Sequence, residues 1–224
     1  MTHGDDAGLV LPPRVAPVQV VIVPIQPKKN DDEGKKELNA SLDSLISDLK
    51  EKGIRFKVDD RDYIRNGAKY FEWERKGVPL RIEIGPRDVK NGVCIFKYRT
   101  GKEEKETIDL IGVAEKVVEG LNDVQSHLLD TARERLAKGM TLDASYEEMK
   151  DALEKDEAGV YPGAGLYLVP WKCNAENEKK IKEECKATIR CYPISTNEAG
   201  MAEGKECFYS GEPATHMALF GRAF

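Results

Sequence analysis

Apolar residues along this chain form a short continuous run, then a helical stripe, then alternation, and that order sets the expected fold. Val18 to Ile25 is almost wholly apolar and is closed by Pro24 and Pro27, the pattern of an inner strand buried on both faces. Between Lys35 and Lys52, Leu38, Leu42, Leu45, Ile46 and Leu49 recur at helical spacing, and Gly53 follows where a C-terminal cap belongs. Ile54 to Val58 predicts a second strand, so strand, helix and strand fit a parallel pair with a crossover helix. Pro79 to Ile84 alternates small or apolar residues with charged ones, predicting a half-buried strand that Gly85-Pro86 stops. Val93 to Arg99 predicts another strand with Lys97 and Arg99 on one face, and Lys105 to Asp109 a short return strand.

From Leu110 to about Lys138 the period is helical, marked by Leu110, Val113, Val117, Leu121, Val124, Leu128 and Leu136. That length suits two helices or one connector between domains. Ser145-Tyr146-Glu147-Glu148 has capping-box spacing and opens a short helix through Leu153. Beyond it the pattern predicts a Gly/Pro loop over Gly159–Gly165, a strand over Leu166–Trp171, a charged helix over Glu178–Glu184 and a strand over Thr188–Tyr192. Cys207–Gly211 and His216–Phe220 read as a terminal hairpin. Residues 1–17 are Pro-rich and aperiodic and read as a linker leaving an earlier domain, which makes the chain a fragment of a longer protein. The whole is an α/β chain with a smaller domain at its end.

Composition narrows this little. A chain of 224 residues allows one or two domains, each able to bury a core. The net charge of -5 argues against coating nucleic acid by bulk charge, but a local basic site is compatible with it. No apolar run approaches the ~20 residues that cross a bilayer, so no membrane partner is expected. Met1–Asp6 lacks the basic and apolar parts of a secretory leader. Five cysteines, an odd count gathered toward the end, suit a reducing cytoplasm better than a disulfide framework.

Three kinds of chemistry are then weighed. Cys173, Cys185, Cys191 and Cys207 are four thiols, the number a structural zinc uses, but they lack the close pairs of zinc knuckles. Catalysis has little to stand on: there are three histidines, His3, His127 and His216, and no Ser-His-Asp, H-E-x-x-H, Walker or G-x-G-x-x-G pattern. RNA binding has more. Single-stranded bases stack on rings and hydrogen-bond at a sheet edge, and Phe71, Arg81, Glu83, Arg87 and Lys97 supply those parts within neighbouring elements. A Glu–Arg pair can read guanine, the Glu accepting from its Watson–Crick donors and the Arg donating to O6 and N7.

The run Lys69-Tyr-Phe-Glu-Trp-Glu-Arg-Lys-Gly-Val-Pro-Leu-Arg-Ile-Glu-Ile-Gly-Pro-Arg-Asp88 resembles the anticodon-binding domain of prolyl-tRNA synthetases of the archaeal/eukaryotic type. His3–Pro13 and Ala16–Pro24 are similar to that family's passage out of its catalytic domain. Ala187–Pro193 and Leu219–Phe224 are similar to its C-terminal domain, which favours prolyl over threonyl or glycyl relatives. The resemblance implies a class IIa anticodon-binding domain, a mixed sheet of about five strands flanked by helices, followed by a smaller α+β domain. The implied boundaries are 1–17 for the catalytic-domain tail, 18–125 for the anticodon-binding domain, and 126–224 for the connecting helix and C-terminal domain.

It further implies recognition of tRNA-Pro, whose second and third anticodon bases are guanines, through Phe71, Glu72, Arg81, Glu83, Arg87, Asp88 and Lys97. Ligation of proline with ATP and magnesium would fall to a catalytic domain upstream of His3, in a homodimeric, cytoplasmic enzyme. No catalytic residue is expected in this chain. The alternative is a free-standing RNA-binding accessory or regulatory protein without ligase activity. Many relatives bind zinc through four cysteines; here Cys173 and Cys207 match two of those positions while Glu178 and Tyr209 stand at the others, so the zinc site reads as degenerate or lost. Cys191 belongs to a strand motif, and Phe224 stands where relatives end in tyrosine.

Overall fold

A computed structural model describes residues 4–27, 30–102, 104–154 and 165–222. The chain divides into two compact units, Met1–Thr131 and Ala132–Phe224.

The first unit opens with two short strands, β1 (Gly4–Asp5) and β2 (Gly8–Leu9), paired antiparallel. Then come β3 (Val20–Pro24), α1 (Asp32–Glu51), β4 (Phe56–Val58), α2 (Asn66–Arg75), β5 (Leu80–Ile84), α3 (Pro86–Lys90), β6 (Val93–Tyr98), β7 (Glu106–Asp109) and α4 (Val113–Lys138). The five-stranded sheet has the order β4-β3-β5-β6-β7. β3 runs parallel to β4 and β5, and β5, β6 and β7 are antiparallel in turn, so the sheet is mixed.

Side-chain alternation divides this sheet cleanly. Val20, Ile22, Leu80, Ile82, Phe96 and Tyr98 point to the leucines of α1 and the valines of α4, forming the main core. On the other face Val21 and Val23 are covered by Trp73 and Val78. β3 is therefore buried on both sides, which is why its sequence is an unbroken apolar run. β5 and β6 are not covered in the same way. There the second face carries Arg81 opposite Lys97 and Glu83 opposite Ile95.

Two stretches show more than their sequence pattern did. Residues 4–16, read as a linker, make contacts with the first unit. Val10 and Ala16 are buried, and Arg55 donates to the carbonyls of Pro13, Arg14 and Ala16. The contacts run through backbone rather than through a periodic apolar face, so no periodicity announced them. At Gly77 a Cβ would sit 2.7 Å from the backbone of Leu9, and φ is +73°, so glycine is required on both counts. Gly85-Pro86 ends β5 as expected but also begins α3. Proline takes the first helical position, where no donor is needed, and Asp88 accepts from the Gly85 N–H at 2.8 Å.

The second unit continues with β8 (Met140–Leu142), α5 (Tyr146–Leu153), β9 (Leu166–Trp171), α6 (Ala175–Cys185), β10 (Ala187–Cys191), α7 (Ile194–Glu198) and β11 (His216–Arg222). Its sheet has the order β10-β11-β9-β8, with β8 parallel to β9 and the rest antiparallel. Ser145 caps α5 through the expected box with Glu148. The terminal hairpin is a correction. Cys207–Gly211 is a turn enclosed by the single bridge of Glu206 with Pro213, while His216–Arg222 is an interior strand between β9 and β10. Met217 and Leu219 pack on one side of it, Ala218 and Phe220 on the other, so it needs neighbours on both edges. Most of the expected 159–165 loop, and Phe224, lie outside the described residues.

Candidate nucleic-acid interface

The second face of β5 and β6 gathers charge around one carboxylate. Arg81 and Glu83 are two apart on β5 and so share that face. Arg81 Nη2 lies 3.0 Å and Nε 3.1 Å from Glu83 Oε1, and Lys105 Nζ lies 2.7 Å from Oε2. Lys97 stands opposite Arg81 on β6. Two cations thus engage one anion, and the Lys105 side chain is half exposed. Tyr70, on α2, forms the wall. The Arg81 guanidinium lies over its ring at 4.2 Å and the Lys105 ammonium at 5.4 Å. Burial, and then the neighbouring Glu83 carboxylate, push the Tyr70 hydroxyl up to about 12.

α2 is held against the sheet by a buried polar network. Asp59, just past β4, accepts from Trp73 Nε1 at 2.7 Å and from Arg61 at 2.7 and 2.6 Å. Lys69 is 2 % exposed and donates to the Asp59 carbonyl at 3.1 Å, with its ammonium 4.0 Å from the Asp59 carboxylate. The Arg61 guanidinium holds the Asp59 carboxyl far below the usual carboxylate range despite its burial. This network fixes the orientation of α2, and with it Tyr70 and Phe71.

The predicted residues divide accordingly. Arg81, Glu83 and Lys97 come together on the second face of β5 and β6. Phe71 is 63 % exposed on α2, with its ring available for stacking. Glu72 is engaged by Lys76 at 2.6 Å and Arg61 at 2.8 Å, which lower its pKa, so it belongs to the bracing of α2. Arg87 and Asp88 are on α3, just past the end of β5. Asp88 caps that helix, and exposed Arg87 lines a groove of about 630 Å³ with Gln26, Pro27 and Asp31 at the carboxyl ends of β3 and β5. Sequence reasoning missed Tyr70 and Lys105 as site residues. Tyr70 was legible only as one ring of a cluster, and nothing in the sequence links Lys105 to Glu83, 22 positions away.

In the second unit the donors do not assemble. Cys173 is exposed, Cys185 is buried with its thiol donating to the Ile181 carbonyl, and Cys191 is exposed on β10. Burial works against ionising Cys207, but hydrogen bonds from Ser210 and the surrounding backbone amides prevail and lower its pKa. Tyr209 packs edge-on against Tyr146 at 4.7 Å. Among the described residues no three His, Cys, Asp or Glu side chains converge as metal ligands, so this donor set does not fit a four-ligand zinc.

Comparison with known proteins follows the two units. Residues 19–120 match the anticodon binding domain family, and residues 146–224 match the family described as prolyl-tRNA synthetase, C-terminal. The chain is 38% identical over 224 residues to proline–tRNA ligase 2 of Clostridioides difficile, covering all of this chain and 43% of that protein. It is 40% identical over 229 residues to the proline–tRNA ligase of Chloroflexus aurantiacus, covering 44% of it. Among solved structures it resembles Giardia lamblia prolyl-tRNA synthetase in complex with prolyl-adenylate, at 33% identity and a TM-score of 0.83 over all of this chain and 46% of that one. The chain thus spans less than half the length of these relatives. Both of these sequence relatives are bacterial, so the likeness does not support restricting the chain to an archaeal or eukaryotic type.

Proposed function

Because this chain carries an anticodon-binding domain joined to a prolyl-tRNA synthetase C-terminal domain, we propose that it recognises the anticodon arm of a proline tRNA for a proline–tRNA ligase. The observation that carries the proposal is the second face of β5 and β6, where Arg81 and Lys105 pair with Glu83 beside Tyr70 and Lys97 stands opposite Arg81. Elsewhere the same sheet face is sealed by Trp73 and Val78. Cations at a sheet face with an adjacent ring suit unstacked bases of single-stranded RNA. Phe71 adds a second ring, and Arg87, at the carboxyl end of β5, extends the cationic margin. Glu72 and Asp88 contribute by bracing α2 and capping α3.

We assign ligation of proline to the remaining length of the relatives, beyond the part this chain matches. ATP, magnesium and dimerisation belong to that part of the reading, and no residue described above is assigned to them. Zinc is likewise left out of the proposal.

Fluorescence anisotropy with two RNA hairpins tests it, one presenting the proline anticodon and one with its two guanines changed to adenines. We expect the second to bind more than about tenfold more weakly, since each wrong base costs about 1–3 kcal/mol. Arg81→Ala and Arg87→Ala should each weaken the first. Equal binding of both hairpins by the unaltered chain would refute anticodon recognition.

A further inference from the structure

α2 is a weak helix by its own sequence. It is 10 residues long, its N-cap Arg65 makes no side-chain hydrogen bond, and its first turn holds no acidic residue. Its buried residues are Lys69 and Trp73, one turn apart, so it rests on the sheet along one narrow stripe. At about 100° per residue, Tyr70 and Glu72 fall on opposite flanks of that stripe, and Phe71 falls on the crown. Tyr70 is held on its flank by the Arg81 guanidinium over its ring. Glu72 is held on the other by Arg61, whose Nη2 lies 2.6 Å from Asp59 Oδ2 and 2.8 Å from Glu72 Oε2. One nitrogen thus ties the outer flank of the helix to the chain just past β4.

Resting on the function proposed above, we infer that Arg61 and Glu72 are positioning residues: their ion pair stops α2 from rolling and so presents the exposed Phe71 ring to an unstacked base. A roll of about 20° would carry a side chain at the helix surface, about 5–6 Å from the axis, through about 2 Å. A gap of about 0.5–1 Å already forfeits a quarter to a half of a van der Waals contact. The assignment reverses the sign expected of a charge. Glu72 is an anion beside an RNA-binding face, and electrostatics alone makes its removal favourable to RNA. As a brace, its removal is unfavourable. The buried contacts of Lys69 and Trp73 with Asp59 remain in place without it, so α2 stays docked and only its roll is freed.

Fluorescence anisotropy with the proline-anticodon hairpin tests it. Phe71→Ala should weaken binding about tenfold, the cost of one lost stacking ring. Glu72→Ala should weaken it about fivefold, although it deletes a negative charge and introduces a stronger helix former. Glu72→Gln, which keeps an acceptor for Arg61, should weaken it less. In the Phe71→Ala background, Glu72→Ala should change binding less than about 1.5-fold, because the ring it positions is gone. The slope of affinity against salt should be the same in Glu72→Ala and Arg61→Ala as in the unaltered chain, since no phosphate contact is lost. A folding defect would lower the active fraction equally in both backgrounds. Tighter or unchanged binding in Glu72→Ala, an undiminished effect in the Phe71→Ala background, or full binding by Phe71→Ala would each overturn the assignment. So would a salt slope reduced by about one in Arg61→Ala, which would make Arg61 a phosphate contact. These outcomes leave anticodon recognition standing. That reading fails if the unaltered chain binds both hairpins equally, and this assignment then falls with it.

Discussion

Asp59→Asn isolates the network that holds α2 on the sheet. The substitution keeps the side chain's size and one carbonyl oxygen, so Trp73 Nε1 and one Arg61 donor retain an acceptor, but the charge is gone. Arg61 is partly exposed and can turn to water. Lys69 cannot: at 2 % exposure its ammonium is left with the Asp59 carbonyl at 3.1 Å and no counter-charge. Breaking a buried pair by removing one partner costs about 3–5 kcal/mol, and the retained carbonyl puts this case at the low end, about 3 kcal/mol. That is a large share of the ~5–15 kcal/mol that holds a domain together.

The assay is native-state amide exchange at Val20–Pro24 and Leu80–Ile84, strands whose amides exchange only when the first unit opens. Their exchange should quicken about a hundredfold in the variant. Combining Asp59→Asn with Lys69→Met should recover most of the loss, because the uncompensated charge is its source. The pH dependence adds a check on sign. Asp59 has its folded-state pKa lowered, so its contribution is complete above its unfolded value of about 4 and disappears as pH falls below that. The variant should therefore lose less stability than the unaltered chain on acidification from about pH 4 downward. Acceleration of less than about threefold at neutral pH, with no recovery in the double variant, would refute the reasoning.

Gly120→Ala would place a Cβ 2.2 Å from the Tyr98 hydroxyl, where α4 crosses the sheet. Thermal melting should show a loss of about 1–3 kcal/mol, partly relieved by Tyr98→Phe. Asp5, paired with Arg99 and holding a pKa of about 2, should keep the β1–β2 pair closed at neutral pH. Exchange protection at Gly4–Leu9 should fade as pH drops from about 4 toward 2, and Asp5→Asn should remove it at every pH. A chelator should leave the melting of the second unit unchanged; a stoichiometric zinc found by metal analysis would show that the ligand set has been misjudged.

Much of the first unit was legible because its elements obey simple periods. Val20–Pro24 is apolar throughout since both its faces are covered, and the α1 leucines recur at helical spacing since one side meets the sheet. Where conformation was set by backbone, or by distant partners, sequence said less. The stretch 4–16 packs through glycines and carbonyls, and Gly85-Pro86 reads equally as a stop and as a helix start. β11 looked like half of a hairpin because its pairing with β9, some 50 residues earlier, leaves no local sign. Among site residues, Arg81 and Glu83 stood out by type and alternation. Their mutual engagement did not, because it depends on Lys105 and Tyr70 from two other segments.

The 26-residue helix α4 has a practical consequence for anyone dividing the protein. The boundary between the compact units falls after Thr131, inside an unbroken helix about 39 Å long. A cut there leaves about four carbonyls without their partners on one side and as many amides on the other. Gly139 ties the end of this helix into the second unit: its N–H closes the helix on Arg135 at 3.0 Å, and its carbonyl accepts from Leu166 at 2.8 Å to begin the second sheet. Separately expressed halves should therefore overlap, the first keeping residues 132–139 and the second keeping the helical turn before Ala132.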